Sequence, residues 1–531
     1  MGSVDTLILG GKLVDGTGNP WRWGDVAVDD GRIVALGRDL GALDARQVIK
    51  AEGLVVAPGF VDAHSHADLT LLADQDMEYR VMQGITTEVV GQDGLSYAPA
   101  SPDHLAQWRR YLKGLNGEFS DRIDWNWKTT GELLDRYRDK ASNAVHLVPH
   151  GAVRVEVVGW EDRPATSEEL DRMSALVRES LQQGAAGLST GLTYIPCSHA
   201  TTEEMVALCR PLGEVGGVLS IHLRSYGENL LEAVKEAVTM GRDSGAAIHI
   251  SHLRMADRST WGLADRVLGI IDRARDQGVD VTFDLYPYTV GCAPLFCLLP
   301  SWAQSKGPEA VVTRLKEAGQ REEIKAEMAA WDVEWSNYLL SNAPHPRFEE
   351  WEGHPLTVTA QALDLDVQEL ILDVLLGTDL DATIVASGGS EEDNRVMLAH
   401  PAGMIGSDGV MVGGHPHPRG FGTYPKLFQD YVRESGLLRL EEAVRKMTSL
   451  PAARHGILDR GQLAVGAPAD VVVFSLENIA DQATYRNARR PPRGVQAVLV
   501  NGWAAVRDGR YRGSKAGQPL RPRIPFSGVK G

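Results

Sequence analysis

The sequence predicts an α/β protein built on a (β/α)8 barrel, and three observations carry that expectation. Between residues 54 and 407, short apolar strand-like runs alternate with amphipathic helical stretches, the pattern of repeated βαβ units. Eight such runs can be placed in order, the number a closed parallel barrel of this type requires. Both chain ends, in contrast, read as short strands separated by Gly-containing turns, the signature of small antiparallel sheets.

Residues 1–55 supply strand-like segments such as Thr6-Leu7-Ile8-Leu9 and Asp25-Val26-Ala27-Val28, and residues 461–531 supply Ala469-Asp470-Val471-Val472-Val473-Phe474 and Val495 to Val500. Because the ends of a domain's chain often lie together, these two pieces are expected to form one small β-sandwich beside the barrel. The barrel itself is expected over residues 56–460. Its strands read Leu54 to Asp62, Ile85 to Val90, Ala144 to Pro149, Ala186 to Leu188, Val218 to His222, Ala247 to His252, Val281 to Asp284 and Met404 to Ser407. Helical stretches at Ser167 to Gln183 and Glu228 to Met240 place apolar residues at helical spacing between them. The segment of about 293–380 separates strands seven and eight by more than a simple crossover needs, and its charged helical pattern from Glu309 to Ala330 reads as a subdomain inserted over the barrel mouth.

Composition narrows the function. The chain has 531 residues, 43% hydrophobic and 24% charged, ordinary for a globular protein with a substantial core. A net charge of −17 argues against nucleic acid or an anionic membrane as the main partner, since no basic stripe is present to track phosphates. Cys197, Cys209, Cys292 and Cys297 follow no Cys-x-x-Cys spacing and are too few for a disulfide framework. With neither a secretory leader pattern nor a run approaching a membrane span, the expected compartment is the cytoplasm. Oligomeric state stays open, because no heptad marks an interface.

Active sites of such barrels gather at the carboxyl ends of the strands, and those ends carry metal-ligand residue types. Strand one runs into His64-Ser65-His66, whose i, i+2 spacing puts both imidazoles on one side of an extended segment. Strand two ends in Gly91-Gln92-Asp93-Gly94, strand five in His222, strand six in His252 and strand eight in Ser407-Asp408-Gly409. One strand-end His or Asp usually satisfies a loop or a helix cap. Ligand types at the ends of five strands point to a metal site.

These residues resemble the amidohydrolase superfamily of metal-dependent hydrolases. Several longer stretches are similar to its N-acyl-D-amino-acid deacylase (D-aminoacylase) branch: Ala57-Pro58-Gly59-Phe60-Val61-Asp62-Ala63-His64-Ser65-His66, Gly187-Leu188-Ser189-Thr190-Gly191-Leu192, Asp284-x-Tyr286-Pro287-Tyr288-Thr289, Gly406-Ser407-Asp408-Gly409 and His417-Pro418-Arg419. The resemblance implies two metal subsites, one of His64, His66 and Asp408 and a second of His222 and His252. Its third second-site ligand is a cysteine in Gly-Asn-Cys-Gly, where this chain has Asp93. Zinc, as one or two ions, is the expected cofactor. A carboxylate is a harder ligand than a thiolate and brings Mn or Fe into range.

The resemblance further implies hydrolysis of the amide of an N-acyl-D-amino acid by metal-activated water, with Asp408 as general base and then acid, and with the metal and His150 or His222 polarising the carbonyl. Tyr194, Arg254, Tyr286 and Arg419 align with groups that bind the substrate carboxylate, and Cys292 falls where a small polar residue lines the pocket. Arg254 replaces a usual lysine and offers a planar fork in place of a point charge. The alternatives are an amidohydrolase acting on a peptide prodrug, modified peptide or cyclic amide, and a catalytically silent binding protein that kept the barrel. Cyclic-amide hydrolases of the superfamily usually carry a bridging lysine on strand four, and this chain has no lysine between Lys140 and Lys235.

Overall fold

Eight parallel strands close into a barrel in the computed structural model, which describes residues 3–522. The strands are Phe60–Asp62, Ile85–Val90, Asn143–His146 continued by Val148–Pro149, Gly187–Gly191, Val218–His222, Ala247–Ile250, Val281–Leu285 and Gly403–Ile405. Each pairs in parallel with its predecessor, apart from a break in the third strand at Leu147, where the backbone N–H still donates to Val90 O. Closure between the last strand and the first is made by Ala63 N to Ile405 O at 3.3 Å and Asp408 N to His64 O at 2.8 Å.

Helices cover the barrel because their sequences start, stop and face correctly. Ser167–Gln182 begins with a reciprocal capping box between Thr166 and Glu169 and buries Met173, Val177 and Leu181 at four-residue spacing. Thr202–Val215 is capped by the Thr201 side chain and stops at Gly216, whose left-handed backbone other residues adopt at a cost. Among the described residues no helix is long and apolar enough to cross a membrane.

The expected first strand divides in two. Val55–Pro58 pairs with Val4–Leu13 and Val471–Phe474 in the sheet of the chain ends, and only Phe60–Asp62 belongs to the barrel. Gly59 makes the crossing: a Cβ there would sit 2.3 Å from the Thr86 side chain, and its N–H donates to Asp470 O at 2.9 Å. The expected terminal sandwich takes the form of one continuous hydrogen-bonded sheet of nine strands drawn from both ends. Its own core includes Ile8, Val26, Val28, Val56, Val471, Val473 and Leu499. Residues 1–2 and 523–531, the last of which fall in the expected carboxyl-terminal piece, lie outside the described residues.

The insertion is a three-stranded antiparallel sheet, with Thr383–Ser387 between Val290–Pro294 and Tyr338–Asn342. Helices Gly307–Lys316, Ala318–Ala329, Leu356–Ala362 and Val367–Gly377 complete it.

A buried charge cluster spans the barrel seam. Arg80, fully buried, ion-pairs with Asp62 of strand one and Glu88 of strand two. It also donates to Ser407 Oγ beyond strand eight at 2.9 Å and to Gly420 O at 3.0 Å. Burial pushes the Asp62 carboxyl above its ordinary range, opposed by the Arg80 charge and reinforced by Glu88. Removing the guanidinium strands two carboxylates in the interior. Arg80→Met is therefore expected to destabilise the fold by about 3–5 kcal/mol, measured by equilibrium denaturation; a loss within experimental error of zero would show that the cluster is not essential to the seam.

Candidate metal centre and active site

The site is built on backbone conformations that are unusual for side-chain-bearing residues. Asp93 sits at φ +57° in the turn after strand two, between Gly91 at +78° and Gly94 at +72°. Aspartate tolerates the left-handed region better than most residues. Gly91 is obligatory, because a Cβ would lie 2.4 Å from Leu147 O. The turn is fastened on several sides: Gly91 N donates to Asp68 Oδ1 at 3.1 Å, Gln92 Nε2 to Ala63 O at 2.9 Å, and Gly94 N to Ser189 Oγ at 3.0 Å. Ser189 Oγ in turn donates to Gly91 O, so the Gly-Leu-Ser-Thr-Gly strand clamps both ends of the turn. His252 at φ +34° is held by its N–H on Asp284 Oδ1 at 3.0 Å, and Asp408 at φ +50° by its N–H on His64 O.

Four imidazoles surround one carboxylate oxygen. Asp93 Oδ2 lies 3.5 Å from His66 Nε2, 3.6 Å from His64 Nε2, 3.7 Å from His252 Nε2 and 3.9 Å from His222 Nδ1. Asp408 Oδ1 lies 3.3 Å from His66 Nε2 and 3.7 Å from His64 Nε2. These separations exceed good hydrogen bonds, and ligand atoms about 2.1 Å from a tetrahedral zinc ion stand about 3.4 Å apart. Two close groups result, His64–Asp93–His252 and His64–His66–Asp408. His222 stands beside them, its Nδ1 2.9 Å from His252 Nε2. Both ring nitrogens of His64 and Oδ1 of Asp93 are buried without a hydrogen-bond partner, a costly arrangement that a bound cation relieves. The donor set therefore fits a divalent metal.

Electrostatics agree with that fit. Burial opposes ionisation of Asp93, yet the charge of His64 and the close imidazoles of His252, His64 and His66 hold its carboxyl well below the usual range. Burial and the neighbouring His252 push His222 down to about 3, leaving a neutral imidazole with a lone pair to offer. His64 is oriented from behind by Asp284, whose Oδ2 lies 3.5 Å from His64 Nδ1 and 2.8 Å from His249 Nε2. Neither Asp284 nor His249 was assigned a role from sequence, because polar residues inside a barrel strand carry no spacing signal.

Tyr194, Arg254, Tyr286, Cys292 and Arg419 line the same cavity as the His and Asp groups. Arg419 pairs through Nη1 with Asp408 Oδ2 at 2.8 Å. The Tyr286 ring meets both cations, with the Arg419 guanidinium carbon 4.6 Å and that of Arg254 5.4 Å from its centroid. Gly291 leaves room for Arg254, since a Cβ there would be 2.2 Å from Arg254 Nη2. Tyr226 also lines the cavity and had no sequence signal. Its hydroxyl donates to Ser251 O at 2.8 Å and accepts from Leu223 N at 3.1 Å, with the ring against His222 and His252.

His150 requires a correction. Strand three passes directly into helix His150–Val157, and His150 is absent from the cavity lining. Its Nδ1 lies 2.9 Å from Thr190 Oγ1 and its Nε2 3.6 Å from Glu204 Oε1. Burial disfavours its charge, but Cys197 and Glu204 raise it to about 9. It belongs to a buried polar cluster outside the cavity and has no access to a substrate carbonyl.

Comparison with known proteins follows the same outline. Residues 47–328 and 393–504 match the model of the amidohydrolase family. Over 519 residues, covering 97% of both chains, this chain is 34% identical to a D-aminoacylase of Alcaligenes xylosoxydans xylosoxydans. It is 35% identical to an N-acyl-D-aspartate deacylase of the same organism, over 99% of this chain and 97% of the relative. A solved N-acyl-D-glutamate deacylase from Bordetella bronchiseptica, complexed with zinc and a phosphonate mimic of the tetrahedral intermediate, superposes with a TM-score of 0.82 at 32% identity, covering 98% of this chain and all of that one.

Metal content tests the cluster. Asp93→Asn keeps the shape but removes the charge, and is expected to lose most bound zinc on dialysis, whereas Ser189→Ala, which only loosens the turn, should lower zinc affinity by about 10-fold. Unchanged zinc in Asp93→Asn, read by elemental analysis, would place the metal elsewhere.

Proposed function

This chain belongs to the amidohydrolase family, in its N-acyl-D-amino-acid deacylase branch, and on that premise we propose that it hydrolyses N-acyl-D-amino acids to a carboxylate and a free D-amino acid. The observation that carries the reading is one cavity in which three of the four imidazoles, His66, His222 and His252, and both carboxylates meet Arg254, whose Nη1 is buried without a partner. A hydrolytic centre and a carboxylate receptor thus share one small space. The four cysteines are free, which supports a reducing compartment, and the net charge of −17 supports a small-molecule partner rather than a nucleic acid.

His64, His66, Asp93, His222, His252 and Asp408 would hold zinc, one ion or two. A zinc ion there supplies positive charge that polarises the amide carbonyl and acidifies water toward neutral pH. The chain's own groups do the rest. Burial works against the Asp408 charge, but Arg419 and His66 keep its carboxyl below the ordinary range, so at neutral pH it is the free carboxylate that a general base requires. Asp408 takes that proton as the water oxygen bonds to the carbonyl carbon, then delivers it to the amide nitrogen as the C–N bond breaks. Arg419 keeps the carboxylate oriented through its 2.8 Å contact. Arg254 and the Tyr286 hydroxyl fix the substrate's α-carboxylate, and Tyr194 closes the side near His222, their rings 4.6 Å apart.

Amine release from matched N-acetyl-D- and N-acetyl-L-amino acids tests the proposal, with zinc quantified on the same sample. Turnover of the D series is expected, falling by about 10²–10⁴-fold in Asp408→Asn. Arg254→Ala should raise KM by about 10–100-fold, the loss of one charged hydrogen-bonding partner. Zinc-loaded protein that turns over neither series would exclude deacylation.

A further inference from the structure

Two of the three relatives above are named for an acidic side chain, aspartate or glutamate, and the third for none, yet their identities to this chain lie between 32% and 35%. Similarity does not choose among them, but the charges on the cavity wall do. Among the described residues that line it, the cationic side chains outside the histidine cluster are Arg254 and Arg419. Arg419 is already committed: Nη1 is 2.8 Å from Asp408 Oδ2, and Nη2 donates to Cys292 O at 3.3 Å. One guanidinium, Arg254, is left to meet an incoming anion, with Nη1 buried and unpaired.

Every N-acyl-amino acid brings one α-carboxylate, and Arg254 is matched by that group alone. A second carboxylate, on the side chain or the acyl arm, would meet the remaining wall. That wall includes Leu95, Leu115, Pro294, Ala386 and Val410, from the loops after strands two and eight, helix Lys113–Asn116 and the inserted sheet. None carries a charge. The carboxylates that do reach the cavity, Asp93 and Asp408, belong to the group that would hold zinc and offer a further carboxylate no partner. Desolvating a charge with no partner is strongly unfavourable, while an amide or alkyl group of the same size loses little on the same wall.

From this charge inventory we infer that the site selects monoanionic substrates, N-acyl-D-amino acids whose side chain and acyl group are both uncharged. The inference rests on the deacylase reading and narrows it. Nothing in the wall discriminates a neutral polar side chain from an aliphatic one by charge, so both fall within the accepted class.

N-acetyl-D-glutamine and N-acetyl-D-glutamate have the same length and differ by one charge, which makes them the discriminating pair. With N-acetyl-D-leucine as a third substrate, kcat/KM is measured on zinc-loaded wild-type protein. The glutamine and leucine derivatives are expected to exceed the glutamate derivative by about a hundredfold. Equal or better turnover of the glutamate derivative overturns the inference and leaves the deacylase reading standing. If all three remain intact, the deacylase reading fails and the inference falls with it.

Discussion

One guanidinium group holds the barrel shut. Asp62 and Glu88 come from the first two strands and Ser407 from just beyond the last, and Arg80 contacts all three inside the protein. Ser407 N also donates to Asp62 Oδ1 at 2.7 Å. Two residues past Asp62 stands His64, and one past Ser407 stands Asp408. The ion pair at the seam therefore sets the distance between metal-type groups that arrive from opposite ends of the sequence. The second carboxylate is costly in the interior and lies on the same guanidinium as the first.

The same logic continues outward in shells of fixed dipoles. His64 rests on Asp284, which also receives His249 Nε2 and the N–H of His252. Asp93 depends on a turn whose ends are both clamped by Ser189. Left-handed backbone at Asp93, His252 and Asp408 is mildly unfavourable for each residue. Short strand-end loops, each tied by hydrogen bonds, hold those conformations.

Much of this was legible in the chain. The i, i+2 histidines and the isolated His222, His252 and Asp408 could be read because strand ends of a parallel barrel converge, whatever the intervening loops do. What escaped reading depends on partners remote in sequence. Val55 to Asp62 is one apolar run by composition, and only Thr86 and Asp470 reveal why Gly59 must divide it. Arg80 resembles any surface arginine of a short helix until the carboxylates beneath it are seen. His150 follows a strand-like Val-Pro, but a helix starts there at once and directs it to Thr190. Tyr226 lies in a polar loop with no periodicity, and its place beside His222 follows from the hydroxyl bridge to Ser251.

Gly59 has a further consequence. The strand Val55–Pro58, paired with both chain ends, and the barrel strand Phe60–Asp62 are joined by this single residue, with no linker to absorb motion between them. The peripheral sheet is thus mechanically in series with the hydrolytic centre. Excising it as a detachable module would cut the chain a few residues before His64 and release one side of the metal cluster, so the barrel cannot be transplanted without the sheet that tethers it.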